Sequence, residues 1–314
     1  MLQLNDHWVW DCWLFDDGEN FHIFFLRASK ALGDPDRRHF RASIGHAQSK
    51  DLKNWILLPD ALVCADAPAW DDVATWTGSV IKNPADNLYY MFYTGVSKVN
   101  GGIVQQIGFA TSPDLITWTR NLNNPVTKAD PQYYESQESG DPDTNWRDPW
   151  IFFDDRDKKW HMLNTADIRG GGIKTRATVA HAISSDLKTW EVLPPLHGEA
   201  GFGQVEVVQV EKINGRYVMI FCVASHHINE FKAGFQTGTY SVPMDSPTGP
   251  IHFDQADIID AEGIYAGRII KDRQGQWSII GFENGQVKED FTGRICDPIP
   301  LIMTDAGTLK VKRP

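Results

Sequence analysis

The sequence has few cysteines, and they lie far apart. Its 314 residues include four cysteines, none of which forms a Cys-X-X-Cys pair with another. Structural zinc sites use closely spaced cysteines, so we expect no such site. The four thiols are predicted to be free and mostly buried: Cys12, Cys64, Cys222 and Cys296.

The sequence also lacks a long hydrophobic run and an excess of positive charge. No stretch approaches the roughly 18 apolar residues of a membrane span, and the segment MLQLNDHW has no basic, apolar leader. The formal net charge of −11 disfavours nucleic acids and anionic membranes as partners, because both bind clustered lysine and arginine. We therefore expect a cytoplasmic protein that binds neither; its oligomeric state does not follow from the sequence.

Aromatic residues, in contrast, are abundant. The chain contains 12 Trp, 16 Phe and 8 Tyr, and 42% of its residues are hydrophobic. This composition supports a sizeable folded core and provides rings of the kind that stack on sugars. A neutral or cationic ligand fits the charge of such a protein.

Internal repeats are the strongest sign of organisation. Three segments share a short strand, a polar turn with an aspartate, and a Leu followed three residues later by Trp: IGHAQSKDLKNW (44–55), IGFATSPDLITW (107–118) and VAHAISSDLKTW (179–190). A degenerate fourth copy begins at residue 237. Since a residue that recurs in every copy serves the turn, we predict structural roles for Asp51, Asp114 and Asp186.

Five predicted hairpins accompany these repeats. Each joins an apolar strand to an aromatic strand through a turn rich in Gly, Asn and Asp, and the five first strands are DCWLF, GSVIK, DPWIF, EVVQV and AGRII. Five small antiparallel sheets are typical of a β-propeller. The sequence thus predicts an all-β protein, a single five-bladed β-propeller catalytic domain spanning 1–314, with the terminal strands closing the ring.

Three of the five inner strands begin with an acid. Aligning the hairpins puts Asp11, Asp148 and Glu206 at one register in blades one, three and four. Because inner strands converge on the propeller axis, we expect the three carboxylates to face one funnel. Cleavage of a glycosidic bond needs a general acid and a second carboxylate as nucleophile or base. The pattern therefore predicts a glycosidase with a small-molecule carbohydrate substrate.

Aromatic and polar residues near these acids are candidates for sugar binding. Indoles stack on apolar sugar faces and an arginine binds hydroxyls, so the predicted substrate-binding residues are Trp10, Trp76, Ser79, Arg147 and Tyr265. No metal ion or other cofactor is expected. Segments 98–106 and 128–145 are predicted to be long loops that narrow the funnel.

Several of these motifs resemble those of the β-fructosidase superfamily, glycoside hydrolase families 32 and 68. VWDCW and TWTGS resemble motifs of levansucrases, WRDP (146–149) matches the Arg-Asp-Pro motif of both families, and DAEGIYAG is similar to a fifth-blade stretch of invertases. The resemblance implies a retaining enzyme acting on β-fructofuranosides such as sucrose or fructooligosaccharides, by hydrolysis or by fructosyl transfer. It implies Asp11 as nucleophile, Asp148 as stabiliser of the transition state, and Glu206 as acid/base.

Two other functions remain open at this point. An inverting glycosidase of family 43, acting on arabinosides or xylosides, also uses two Asp and one Glu. A non-catalytic propeller that binds glycans would instead have acids scattered over the blade rims or equivalent acids in every blade. Three assignments also have alternatives: Glu211 competes with Glu206, His226 and His227 lie in the funnel or in a surface loop, and the acidic segment 135–143 is solvated, shapes the rim or binds calcium.

Overall fold

The computed structural model describes residues 1–232, 234–260, 263–284 and 291–312. Four of its sheets contain four consecutive strands each, in chain order. The first consists of β2 (His7–Asp16), β3 (Phe21–Ser29), β4 (Ser43–Ser49) and β5 (Ile56–Leu62). The second consists of β6 (Ala74–Lys82), β7 (Tyr89–Val99), β8 (Gly102–Ser112) and β9 (Thr119–Arg120). The third consists of β10 (Trp146–Asp154), β11 (Lys159–Asp167), β12 (Ala177–Ser184) and β13 (Glu191–Leu193), and the fourth of β14 (Glu206–Ile213), β15 (Arg216–Val223), β16 (Gly238–Met244) and β17 (Asp257–Ile258).

The fifth sheet combines both ends of the chain. It contains β18 (Ile264–Lys271), β19 (Trp277–Asn284), β21 (Ile299–Met303) and β22 (Leu309–Val311), and β20 (Phe291–Ile295) joins β19 to β1 (Leu2–Gln3). The inner strands β2, β6, β10, β14 and β18 contact one another in a closed ring. The predicted all-β, five-bladed propeller is therefore confirmed, whereas the extent of a single domain over 1–314 stays a prediction.

The helices of the described residues are all short 3₁₀ helices: Lys30–Leu32, Pro35–Arg41, Gln137–Ser139, Ser225–His227, Glu230–Lys232 and Phe253–Gln255. None of them is long and apolar enough to cross a membrane. One predicted loop is a strand pair, because β7 and β8 extend through residues 98–106 and pair from Tyr89↔Ser112 to Val99↔Gly102. The two strands of this hairpin have eleven residues each and exceed the length of the other described strands.

The repeated aspartates form one kind of turn in three blades. Asp114 Oδ1 accepts hydrogen bonds from the backbone N–H groups of Ile116 (2.9 Å) and Thr117 (2.8 Å) and from the Ser112 hydroxyl (2.9 Å). Asp51 and Asp186 make the equivalent bonds. These contacts lower the pKa of Asp114, chiefly through the two backbone bonds. The aspartates hold the turns, as their recurrence predicts.

Two blades also share a buried histidine pair. His22 Nδ1 lies 2.9 Å from His46 Nε2, and His161 Nδ1 lies 2.9 Å from His181 Nε2. In each pair the other nitrogen of the first histidine contacts an aspartate of the hairpin turn, Asp17 or Asp157. The same histidine pair recurs at the same register in two blades, where it links the second strand of the blade to the third.

Candidate active site

Every inner strand contains a β-bulge near the start of its hairpin. The pairing with the second strand shifts between Val9 and Cys12 in blade one and between Trp76 and Gly78 in blade two. The corresponding shifts in the other blades lie between Arg147 and Trp150, Glu206 and Gln209, and Tyr265 and Arg268. A bulge adds a residue to one strand and re-aims its side chains. Five bulges at one level therefore shape a site at one mouth of the axial channel.

The three acids occupy different positions of equivalent bulges. Glu206 is the last paired residue before its bulge, Asp148 is the first bulged residue, and Asp11 is the second. The prediction that the three acids share one register is therefore wrong. Relative to the position of Glu206, Asp148 lies one position further along its strand and Asp11 two. The three carboxylates still line one cavity.

The bulges carry backbone strain. Asp148, Val207 and Ala266 occupy the same bulge position in three blades and have φ angles of 60°, 55° and 47°. Positive φ is costly for residues with a Cβ, most of all for a β-branched valine. Such strain persists only where surrounding structure imposes it, and it clusters at functional sites. All three residues lie at the mouth where the acids converge.

The site is a cavity of about 390 Å³. All five inner strands contribute to its walls, together with the 3₁₀ helix Pro35–Arg41, strands β3, β8 and β19, and segments next to strands of blades three and four. Its lining consists of Trp10, Asp11, Leu26, Arg38, His39, Trp76, Thr77, Gln105, Asn145, Arg147, Asp148, Gln204, Glu206, Val207, Ala224, His226, His227, Tyr265 and Phe282. Three carboxylates and several aromatic rings thus share one enclosure, as the sequence predicts.

Asp11 lies partly exposed in the cavity and bonds to blade two. The Thr77 hydroxyl donates to Asp11 Oδ2 at 2.6 Å. Loss of hydration raises the pKa of Asp11 to about 7, and the charges of Asp148 and Glu206 add to this effect, whereas Thr77 and Arg38 oppose it. Asp11 therefore exchanges its proton near neutral pH.

Asp148 is buried beneath the cavity and strongly held. Its Oδ2 accepts hydrogen bonds from the Thr165 hydroxyl (2.9 Å) and the Val207 N–H (3.3 Å), and its own N–H donates to Thr94 Oγ1 at 2.9 Å. Arg147 Nε lies 3.4 Å from the same carboxylate oxygen. Burial raises the pKa of Asp148, and Arg147 moderates the rise.

Glu206 has the most direct cationic partner of the three acids. Arg147 Nη2 donates to Glu206 Oε1 at 2.6 Å, and the Tyr265 hydroxyl donates to Oε2. Burial acts to raise the pKa of Glu206, but Arg147, His227 and the Tyr265 bond outweigh it, so the net pKa is lowered. In the ligand-free site Glu206 is therefore an anion at neutral pH.

This order of pKa values is the reverse of the order that the roles implied by the resemblance need. A nucleophile acts ionised and a general acid acts protonated, yet the pKa of Asp11 is raised to about 7 and that of Glu206 is lowered. Interacting carboxylates titrate as a group. A reaction that begins at Asp11 requires its proton to leave Asp11 first.

Four of the five predicted sugar-binding residues line the cavity: Trp10, Trp76, Arg147 and Tyr265. Ser79 does not; it is 2% exposed and pairs with Phe92 deeper in the strand. The bulge before Gly78 turns Thr77 toward Asp11 instead. The structure therefore replaces Ser79 with Thr77 as the blade-two residue at the acids.

Sequence reasoning missed the contribution of Arg38 and His39. Both belong to the 3₁₀ helix Pro35–Arg41, which lies between the second and third strands of blade one. The His39 carbonyl accepts a 2.7 Å hydrogen bond from Trp76 Nε1, and Arg38 Cζ lies 5.6 Å from the Trp10 ring. The available signal was the length of the interval between these strands, which contains a basic run, RRH, at residues 37–39.

The structure places the residues of the three assignments that the sequence left open. His226 and His227 line the cavity. Glu211 lies at the opposite end of its strand, among the residues of a different cavity. In the acidic segment 135–143, Asp141 pairs with Arg176 at 2.8 Å.

One cluster of the described residues has an arrangement that could hold a metal ion: Asp154, Asp157 and His161. Arg156 already binds both oxygens of Asp154, at 2.9 Å and 3.0 Å from Nε, and His161 pairs with His181. None of the three residues lines the cavity of the acids. The cluster therefore belongs to the hairpin turn and its histidine pair.

Comparison with known proteins decides the family. Residues 13–293 match the model of the glycosyl hydrolases family 32 N-terminal domain. The chain belongs to glycosyl hydrolase family 32. The match starts two residues after Asp11, so it includes Asp148 and Glu206 but leaves Asp11 outside.

Relatives agree with membership of family 32. An extracellular sucrase of Zymomonas mobilis is 26% identical over 95% of this chain and 79% of its own length. A fructan 1-exohydrolase of Triticum aestivum, w3, is 36% identical over 40% of this chain and 20% of its own length. The predicted glycosidase of the β-fructosidase superfamily is confirmed, and the family 43 and non-catalytic alternatives are not supported.

Solved structures agree with the fold. An inulosucrase from Halalkalicoccus jeotgali bound to kestose has a TM-score of 0.76 at 20% identity, and the similarity covers 97% of this chain and 87% of the other. A Bombyx mori family 32 β-fructofuranosidase has a TM-score of 0.68 at 19% identity, covering 96% of this chain and 63% of the other. Both similarities are similarities of the propeller fold.

Proposed function

We propose that this family 32 chain is a retaining β-fructofuranosidase that cleaves sucrose or short fructooligosaccharides. The observation that carries the proposal is the convergence of Asp11, Asp148 and Glu206 on one aromatic-walled cavity. Names of the relatives support the substrate class, because they include a sucrase and a fructan exohydrolase. The cavity of about 390 Å³ suits a substrate of a few sugar units.

The proposed first step forms a bond between Asp11 and the anomeric carbon of the fructosyl unit. Thr77 binds Asp11 Oδ2, which leaves Oδ1 for the attack. Glu206 gives its proton to the glycosidic oxygen, and the leaving sugar departs with the bonding electron pair. Asp148, held by Thr165 and the Val207 N–H, accepts hydrogen bonds from fructosyl hydroxyls and stabilises the positive charge of the transition state.

Substrate binding supplies the proton to Glu206 in this mechanism. Arg147 holds Glu206 as an anion in the ligand-free site. Sugar hydroxyls that bind Arg147 compete with Glu206 for the guanidinium, which raises the pKa of Glu206, and the proton of Asp11 then passes to it. The ionised Asp11 is the nucleophile that the first step needs.

The second step reverses the roles of the same groups. Glu206, now an anion, removes a proton from water, and the water oxygen displaces Asp11 from the anomeric carbon with a second inversion. A second sugar hydroxyl in place of water gives fructosyl transfer. The ratio of free fructose to free glucose released from sucrose distinguishes hydrolysis from transfer.

The test uses sucrose, kestose and a nitrophenyl arabinofuranoside with wild type, Asp11→Asn and Glu206→Gln, and with Asp114→Asn as the matched control from a turn. Fructose release that is lost in the first variant and retained in the control supports the proposal. Proton NMR of the first product gives the stereochemistry. Inversion, pentoside release alone, or full activity of Asp11→Asn overturns it.

A different substrate reports on Glu206. A fructosyl fluoride carries a leaving group that needs little protonation, so Glu206→Gln is expected to lose far less activity on it than on sucrose. Equal losses on both substrates contradict the acid role.

The cytoplasmic location stays a prediction from the sequence, and the sucrase relative is named extracellular.

A further inference from the structure

A second cavity opens at the other end of the inner strands. It encloses about 340 Å³, and all five inner strands reach it beyond their bulges. Its lining includes Phe15, Ile81, Trp150, Gln209, Arg268 and Lys271. No residue is shared with the cavity of the acids. We call it the second mouth.

Arg268 is a buried cation of the second mouth with an unused edge. It is 1% exposed, and its Nη1 donates to the Val208 carbonyl at 2.6 Å. Its Nε and Nη2 have no hydrogen-bond partner among the described residues, and no described carboxylate lies within ion-pair distance of it. A buried donor without an acceptor costs free energy, so an acceptor bound at this edge would stabilise the folded protein.

The free edge has a defined chemistry. Nε–H and Nη2–H point in parallel from one side of the guanidinium, and this fork matches two oxygens of a carboxylate, sulfate or phosphate. The Trp150 ring centre lies 5.3 Å from Arg268 Cζ, and Trp150 Nε1, also buried, has no partner among the described residues. Three unpaired N–H donors from two side chains that line the second mouth, each of them buried, therefore lie beside it.

The remaining groups of the second mouth are occupied or weakly charged. The Gln209 amide bonds to Glu211 and to both backbone groups of Ile269. Burial raises the pKa of Glu211 to about 7, so its negative charge is only partly formed at neutral pH. Lys271 adds a positive charge to the lining. Asp16 also lines the second mouth, and Arg273 neutralises its carboxylate in an ion pair. An anion beside Arg268 therefore meets the positive charges of Arg268 and Lys271 and the partly formed negative charge of Glu211.

We propose that the second mouth binds a small oxyanion, with two oxygens on the Nε–Nη2 edge of Arg268 and one accepting from Trp150 Nε1. The source is either inorganic, as phosphate or sulfate, or an organic carboxylate, since both present the same pair of oxygens. The site is separate from the sugar cavity and does not depend on the proposed hydrolysis.

The test measures binding of inorganic phosphate and of acetate to the full chain by calorimetry. Arg268→Lys keeps the charge but removes the fork, and we expect at least tenfold weaker binding. Trp150→Phe keeps the aromatic face and removes one donor, and we expect about fivefold weaker binding. His227→Gln, in the sugar cavity, is the control and leaves binding unchanged. Phosphate alone or acetate alone identifies the source.

A crystal soaked in selenate locates the anion by anomalous scattering and does not depend on any variant. A peak at the guanidinium edge of wild-type Arg268 supports the proposal even where Arg268→Lys fails to fold. No saturable binding of either anion, or binding that only His227→Gln weakens, overturns the proposal. Ordered water at that edge in crystals soaked in selenate and in crystals soaked in acetate also overturns it.

Discussion

Aspartates serve opposite purposes in two regions of this propeller. At the outer turns, Asp114 and its counterparts are exposed, and backbone N–H groups bind their ionised form, which lowers the pKa. In the cavity, Asp11 has one hydroxyl donor and two acidic neighbours, and lost hydration raises its pKa to about 7. The same type of side chain therefore has a lowered pKa in the turns and a pKa of about 7 in the cavity.

The difference lies in the backbone around each residue. A turn presents N–H groups to its own aspartate, so the charge is satisfied locally and is useful for folding. A bulge aims the carboxylate away from its own strand and into a shared enclosure. The ionised carboxylate then has too few hydrogen-bond donors, so its pKa rises and it can take part in proton transfer.

The largest expected effect comes from changing one aspartate of each kind in the same way. Asp11→Asn removes the proposed nucleophile and is expected to lower kcat for sucrose by at least about 10⁴-fold. Asp114→Asn makes the same chemical change in a turn and is expected to leave kcat within about twofold. Initial rates with active protein quantified by circular dichroism make the comparison. Equal losses in the two variants contradict it.

Arg147 contacts two of the three acids of the cavity to different degrees: its Nη2 lies 2.6 Å from Glu206 and its Nε lies 3.4 Å from Asp148. Arg147→Lys keeps the charge but cannot reach Glu206 and Asp148 from two nitrogens of one planar group, and we expect kcat/KM to fall about 10²-fold. Since Arg147 lowers the pKa of Glu206, Arg147→Gln is expected to raise it. An unchanged pH profile of kcat/KM in Arg147→Gln contradicts this assignment.

The pH dependence of wild type tests the charge order directly. In the proposed mechanism the free enzyme that binds substrate carries one proton, which Asp11 holds with a pKa of about 7 and passes to Glu206. We therefore expect kcat/KM to fall about tenfold per unit as pH rises above this value. Thr77→Val removes a hydrogen bond that lowers the pKa of Asp11 and is expected to move this basic limb to higher pH. A limb that stays in place excludes Asp11 as its origin.

The fold could be predicted from the sequence because each blade carries its own local sequence signals. Each repeat carries its own turn aspartate and each hairpin its own turn residues, so one misread unit leaves the others intact. The closing of the ring by β1 and β20 was also foreseeable, since a propeller leaves no other place for its terminal strands.

The site was predictable to the level of its acids but not of their positions. A bulge depends on how two strands pair, and an extra residue has no signature in one strand alone. This is why Ser79 was expected where Thr77 lies, and why one register was expected where three positions are used. Arg38 was missed because a short 3₁₀ helix between strands reads as a loop.

The smallest expected effect is on stability, and its sign differs between the two kinds of aspartate. The pKa of Asp11 is raised by folding, so its ionisation opposes folding above pH 4, and stability falls as pH rises toward 7. Asp11→Asn removes this cost. At pH 8 we expect it to raise the free energy of unfolding by about 2 kcal/mol, with the gain vanishing below pH 4.

Asp114→Asn is expected to do the opposite on a smaller scale. The pKa of Asp114 is lowered by folding, so its ionised form stabilises the fold above the unfolded pKa, and that contribution is lost as pH falls through the folded value. Asparagine keeps the two turn hydrogen bonds but not their charge assistance, which lowers stability by about 0.5 kcal/mol at neutral pH. Urea unfolding of both variants at pH 3.5 and pH 8 measures the two signs. Destabilisation by Asp11→Asn at pH 8 means that its carboxylate is better satisfied than the cavity geometry indicates, and the contrast between turn and bulge then fails at its central residue.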